Sequence, residues 1–288
     1  MCVASTWPLA YCNVALEDHL LNVARLAECL FRDDVAVLER RLGFQQGVLW
    51  EVLLASALLH DVGKASYYYR KGFRNTCRLS FPMHEHVWSL VLYSIANVVL
   101  HRNGNTGLSD KLVMTARVIS RHHAAMIGRH PVDISIRMRG HSGFGAARVE
   151  SVRRPLKDLD PSLVANLLSS LMQKFPALAN SNIWNALVNQ ALVSSGKKGA
   201  INNICGDMKR LANLENLPLK KSVAIKSLSG MLIVSDILAA SLVEKRVSDD
   251  GIAPAYVIHW VNELRSKLRK CLPCVNLEGF QVGLEVFL

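Results

Sequence analysis

His60-Asp61 closes the apolar stretch Val52-Leu53-Leu54-Ala55-Ser56-Ala57-Leu58-Leu59 and stands just before Val62-Gly63-Lys64. A helix of that composition buries its last turn. An imidazole and a carboxylate there are costly unless something pairs with them. A divalent metal does so, taking neutral imidazole and ionised carboxylate together. Other candidate ligands share the same setting. His19 lies on an inner stripe with Leu20, Val23 and Leu26, His84-Glu85-His86 opens an apolar run, and His122-His123 ends another. A single His on an apolar face is ordinarily a hydrogen-bonded core residue. Four clusters in one half of the chain would cost on the order of several kcal/mol in desolvation if they shared no purpose. Far along the chain, Asp236 is the only acid in Met231-Leu232-Ile233-Val234-Ser235-Asp236-Ile237-Leu238-Ala239-Ala240-Ser241. It reads as a metal ligand, with a buried Asp capped by Ser235 or Ser241, or paired with Arg, as the alternative.

Imidazole and carboxylate together suit Mn, Fe, Co, Ni and Zn, and Mg through oxygen. A carboxylate can bridge two ions about 3.5–4 Å apart, the spacing of two-metal hydrolases. Asp61 is the natural bridge because it adjoins a ligand at a helix end. A hydroxide held between two such ions is a nucleophile at neutral pH, and the ions neutralise a phosphate in the transition state. Lys64 could reach a phosphate oxygen as a point charge, or serve as a helix C-terminal cation.

The elements that must carry these residues are nearly all helices. Apolar residues at 20, 23, 26, 27 and 30 predict a helix over 17–31. Further helices are expected over 48–62, stopped at Gly63, over 84–101, and from a Ser109 cap through Ile119 to His122-His123. Others are expected over 161–173, 183–194, 220–243 and 254–271. The tail 275–288 reads as a short hairpin or irregular chain, and its apolar end 280–288 as completing the core, with docking a partner as the alternative. Residues 137–154 hold Arg137, Arg139, Arg148, Arg153 and Arg154 with Gly140, Gly143 and Gly145, which predicts a mobile basic loop. Ser195-Gly196-Lys197-Lys198 resembles the end of a P-loop, but Ala191 stands where the first glycine is required.

The 288 residues are half hydrophobic and 20% charged, which excludes a disordered chain. One helical domain is expected, the part after Pro161 packing back on the first half. The formal charge of +11 suits a polyanion such as nucleic acid, or is simply a basic solvated surface. No signal peptide and no run of membrane-spanning length is apparent, so a cytoplasmic location is expected. Seven scattered cysteines argue against a full disulfide framework, and Cys271-Leu272-Pro273-Cys274 alone is weak evidence for zinc.

His19, His60-Asp61-x-Gly63-Lys64, a His before Ser89, His122-His123 and Asp236, in that order, resemble the HD superfamily of metal-dependent phosphohydrolases. The chain looks most like the HD nuclease of type I CRISPR systems. The HDxGK form, the adjacent His122-His123 pair and the Ser-Asp-x-x-Ala-x-Ser context of Asp236 favour that branch. The resemblance spans about residues 13 to 245. It implies an all-α HD helical bundle in a single nuclease domain, with a metal core over about 13–130, the basic loop 137–154 and a helical part 161–288. It also implies two divalent metal ions (Mn, Co, Ni, Mg or Fe). His19, His60, Asp61 and Asp236 would hold one. Asp61 would bridge to a second, held by the middle His with His122 and His123. Lys64 would sit near the scissile phosphate and Ser89 near the site as polar support. The family has His-Glu with Ser four residues after the His. Here Ser89 is five after His84 and three after His86, so either could be the ligand, with Phe81-Pro82-x-His84-Glu85 favouring His84.

The implied activity is metal-dependent cleavage of single-stranded DNA, with a separate CRISPR helicase and an RNA-guided surveillance complex as partners. The Arg137–Arg154 stretch, with Phe144, could grip a strand by phosphate contact and stacking. The alternatives are an HD phosphohydrolase acting on dNTPs or cyclic nucleotides, and a non-catalytic assembly subunit.

Overall fold

The computed structural model describes residues 7–11, 14–72, 80–124, 130–139, 143–178, 181–243, 264 and 266–267. Expectations over 254–271, the tail 275–288 and Cys271/Cys274 lie almost wholly outside them. A two-stranded antiparallel ribbon, β1 (Leu9–Tyr11) with β2 (Val14–Ala15), leads into α1 (Leu16–Leu42). Then come α2 (Val48–Leu59), a 3-10 turn (Val62–Ala65), α3 (Tyr67–Gly72), α4 (His84–Asn103) and α5 (Thr106–Ile119). The second half holds α6 (Pro131–Arg139), α7 (Gly143–Lys157), α8 (Pro161–Lys174), α9 (Asn182–Leu187), α10 (Gln190–Asn202), α11 (Ile204–Ala212) and α12 (Leu219–Leu238), which continues as a π turn (Ala239–Val243). The architecture is an all-α bundle.

Helix α2 is apolar on every side and buries Leu49, Val52, Leu53, Leu54, Leu58 and Leu59, as a central helix must. It packs against α1, α5 and α12. Its first turn has no side-chain cap of its own. Instead the buried Glu39 carboxylate of α1 accepts from the Gly47, Leu49 and Trp50 N–H groups at 2.9, 2.7 and 3.1 Å. One carboxylate thus satisfies three orphan donors and faces the positive end of the helix dipole. Glu51 ties α2 to two later helices. It accepts from Lys111 of α5, from Ser181 Oγ at 2.7 Å and from the Ile183 N–H at 3.3 Å. Burial alone pushes the Glu51 carboxyl up, but these bonds and the Lys111 charge outweigh it and leave it below its ordinary value.

The near-P-loop glycines have a packing role. A Cβ at Gly196 would lie 2.4 Å from Ile95 Cγ1, and one at Gly199 would lie 2.1 Å from Ser94 Oγ. They allow α10 to press directly onto α4.

Several expected elements are corrected. Helix α5 is capped by Asn105, whose side chain accepts from the Leu108 N–H, not by Ser109, which is buried inside it. The helix expected over 183–194 is two helices, because Asn189 caps a new start at Gln190. Within the expected basic loop 137–154, residues 137–139 end α6 and 143–154 belong to α7, with 140–142 outside the described residues. Val149, Val152 and Leu156 turn one face of α7 inward at helical spacing, and that burial overrides the two glycines near its start. Leu219–Ser241 is long and apolar enough to cross a membrane, contrary to the sequence reading. Its α12 portion packs against α1, α2 and α5, which explains its composition as that of a core helix. Cys29 is disulfide-bonded and Cys205 is a free, exposed thiol.

Candidate metal centre

The sequence places its polar residues where helices end, and the bundle brings those ends together. His19 lies in the first turns of α1 and His60 caps the C-terminus of α2. Asp61 follows in a non-helical conformation (φ −105°, ψ 2°) that opens the 3-10 turn. His84 begins α4, His122-His123 follow the end of α5, and Asp236 comes from late α12. His19, His60, Asp61, His84 and His122 are at most 3% exposed. Two backbone features hold the convergence. A Cβ at Gly63 would lie 2.1 Å from the His84 carbonyl oxygen, so only glycine lets the start of α4 approach this turn. Met83, buried just before His84, has φ 64°, a left-handed conformation that costs a non-glycine residue about 1–3 kcal/mol.

Asp61 is the hub, and its two oxygens face different groups. Oδ2 lies 3.3 Å from His19 Nε2, 3.5 Å from His60 Nε2 and 2.5 Å from Lys64 Nζ. Oδ1 lies 2.8 Å from His84 Nε2 and 3.6 Å from His122 Nε2. Asp236 Oδ1 stands 3.3 Å from His19 Nε2 and 3.7 Å from His60 Nε2. His123 Nε2 is 3.3 Å from His84 Nε2.

These atoms fit a cation. Nδ1 of His60, His84 and His122 faces the carbonyl of Ala57, Phe81 and Ile119 at 2.9, 2.6 and 2.7 Å. A carbonyl only accepts, so each Nδ1 carries a proton donated there, which leaves Nε2 as the atom each ring turns to the centre. Asp61 Oδ1, Asp236 Oδ1 and His122 Nε2 make no hydrogen bond although buried. Acceptor atoms facing one another at these distances repel unless a proton or metal ion lies among them. Three sets of ligand atoms lie mutually within 4.8 Å: His19, His60 and Asp61; Asp61, His84, His122 and His123; and His60, His122 and Asp236.

The electrostatics agree. Burial raises Asp61, but the Lys64 ammonium, with His60 and His84, outweighs it and holds the carboxyl well below the usual range. Asp236 is likewise held low, burial being overcome by the His19 and His60 rings that face it. Burial, then repulsion from His122 and His84, brings His123 down to about 2, which keeps its ring neutral and able to ligate.

Of the remaining sequence candidates, His86 does not join the centre. Two residues past His84 on a helix, it points elsewhere, its Nε2 being 3.6 Å from Glu85 Oε1. Ser89 is buried and donates back to the Glu85 carbonyl at 2.7 Å, one turn up its own helix, rather than to the centre. Lys64 is folded inward onto Asp61, with its ammonium 4.6 Å from the Tyr11 ring and 5.1 Å from the Phe81 ring. The side chains of Arg137, Arg139 and Arg148 lie outside the described residues. Arg153 and Arg154 are on α7, at 2.6 and 3.7 Å from Glu150.

The sequence reading missed three supports. Tyr11 sits edge-on to His19 with centroids 5.1 Å apart. Phe81 both caps Lys64 and supplies the His84 carbonyl contact. Buried Arg121 ties the end of α5 to α11 through the carbonyls of Leu211 and Ala212 at 3.2 and 2.8 Å, which anchors the adjoining His122. Burial and the neighbouring Arg117 bring its guanidinium down to about 10. An Arg directly before the His pair was the one available signal.

A helical bundle with a His-Asp pair at its hub, ringed by histidines and a distant aspartate, defines an HD-type metal-dependent hydrolase. Residues 13–241, well over half the chain, match the family Cas3, HD domain, and the chain belongs to that family. It is therefore a metal-dependent nuclease domain of CRISPR systems. No curated protein and no solved structure gives a match.

Proposed function

We propose that this chain is a single-domain nuclease that hydrolyses phosphodiester bonds of single-stranded DNA with two divalent ions. The observation that carries the reading is the divided Asp61 carboxylate, Oδ2 toward His19 and His60, Oδ1 toward His84 and His122. His19, His60, Asp61 and Asp236 would hold one ion; Asp61, His84, His122 and His123 would hold the other. Divalent ions there supply Lewis acidity, making water acidic near neutral pH and offsetting phosphate charge. The chain's own residues fix the arrangement. The three carbonyl contacts orient the imidazoles, Arg121 anchors His122, and Lys64 positions Asp61. The excess of basic residues, Arg153 and Arg154 among them, attracts a polynucleotide backbone. Strand separation comes from a helicase outside these 288 residues, which contain no P-loop, and the target strand from an RNA-guided complex.

The test is cleavage of labelled single-stranded DNA, duplex DNA and dNTPs by purified protein. Assays run without metal and with Mn, Co, Ni or Mg, beside Asp61→Ala. Metal-dependent cutting of single strands, abolished in the variant together with its bound metal, is expected. Phosphate release from dNTPs without strand cutting would refute the reading.

A further inference from the structure

A cleft of about 430 Å³ is lined by α4, α5, α11 and the turn after α11, and by none of the candidate metal ligands. Its walls carry Tyr93, Arg117, Lys209, Arg210, Asn213 and Asn216. Arg117 is 8% exposed. One of its terminal nitrogens donates to the Arg210 carbonyl at 3.0 Å, but its buried Nε has no partner. An orphaned buried donor of this kind is destabilising.

The second observation is charge. Arg121 lies one turn beyond Arg117 and is 5% exposed. It donates to the carbonyls of Arg117, Leu211 and Ala212 and to Ser120 Oγ, all neutral groups. Among the described residues, no ion pair joins either guanidinium to a carboxylate. Asp207, the nearby acid on α11, is engaged by Arg210 at 3.1 Å and Asn203 at 2.9 Å. Lys209 adds an exposed ammonium at the rim. Among the described residues, Asp110 is the one carboxylate whose charge favours Arg117, and it is itself paired with Lys221 at 2.9 Å. The cleft lining thus holds three cations, Arg117, Lys209 and Arg210, and no carboxylate, and such charge calls for an anion.

We propose that this cleft binds the phosphate group of a nucleotide. Arg117 presents the guanidinium edge that lines the cleft to the phosphate, Lys209 and Arg210 close over it as cations, and Tyr93, Asn213 and Asn216 offer hydrogen bonds to the sugar and base. Guanidinium groups match phosphate geometry, and the volume lies in the range of small-ligand pockets, about 300–1,000 Å³. The same chemistry is carried by a free nucleotide and by one unit of a strand. The site does not depend on the nuclease reading, because none of its residues is a proposed metal ligand.

Titration calorimetry on metal-free, full-length protein tests it, with inorganic phosphate, dAMP and a short oligothymidylate as probes. Wild type is compared with Arg117→Met and Lys209→Glu. Saturable binding at one site is expected, competed by phosphate and weakened about tenfold or more in both variants. Binding of dAMP identifies a free nucleotide as the ligand source; binding of the oligonucleotide alone, lost in the variants, identifies a strand. If circular dichroism shows Arg117→Met unfolded, exposed Lys209→Glu decides. No binding of any probe, or binding indifferent to Lys209→Glu, overturns the proposal.

Discussion

Replacing Lys64 with Met removes an ammonium but keeps most of the aliphatic stem between Tyr11 and Phe81. Lys64 Nζ is 2.5 Å from Asp61 Oδ2, and both side chains are at most 5% exposed. Breaking a buried pair of this kind by deleting one partner costs roughly 3–5 kcal/mol, because the other charge is left buried. For a chain this long, with about 2 °C per kcal/mol, the expected fall in Tm in chelator is about 6–10 °C. Divalent ions change the answer. They supply Asp61 with another counter-charge, so the variant's deficit in saturating Mn should shrink to less than about half of that. By linkage, the gap between metal-loaded and metal-free Tm is wider in the variant than in wild type. Differential scanning calorimetry of both proteins, in EDTA and in Mn, measures all four values. An equal deficit in both conditions would refute the reasoning, since Lys64 would then stabilise by packing alone and not through Asp61.

Gly63→Ala places a methyl 2.1 Å from the His84 carbonyl oxygen. It should displace the start of α4 and cut both metal affinity and nuclease activity at least about tenfold, as isothermal titration and cleavage rates report. Glu51 sits below its ordinary carboxyl range in the folded protein. Its contribution to stability is therefore full above the unfolded value near 4.5 and is lost as pH falls through the lower folded value. Urea melts from pH 7 down to 3 should show Glu51→Gln less stable at neutral pH and the gap closing in acid; a constant gap counts against the Lys111 pairing.

Much of the centre is legible in the sequence because its residues break the pattern around them. His60-Asp61 after eight mostly apolar residues and Asp236 alone in an apolar helix are conspicuous without any structure. The choice between His84 and His86 is legible only as a preference for His84 from the Phe81-Pro82 context, since it depends on which side of α4 faces Asp61, and that is set by Gly63 packing under the His84 carbonyl. Lys64 is similarly opaque, because its partner choice follows from a ribbon and an aromatic ring that lie outside the motif. The basic segment misled for a different reason. Its glycines and arginines dominate the composition, whereas Val149, Val152 and Leu156, spaced three and four apart, decide the conformation.

One device recurs at three of the ligands. His60, His84 and His122 each direct Nδ1 to the carbonyl three residues earlier, at Ala57, Phe81 and Ile119. For His60 and His122 that carbonyl belongs to the last turn of a helix, where carbonyls lack intrahelical partners. The helix end thus gains a donor, and the imidazole gains a fixed tautomer and direction. A mid-helix carbonyl can take a second, side-chain donor, as the Glu85 carbonyl does from Ser89, but at a helix end the ring N–H fills a lone pair that has no intrahelical partner. This explains why ligands cluster where α2 and α5 stop, and why the bundle is arranged so that those ends meet. A ligand built in this way needs no second carboxylate to orient it, so the two carboxylates of the centre, Asp61 and Asp236, are left free to face the ions.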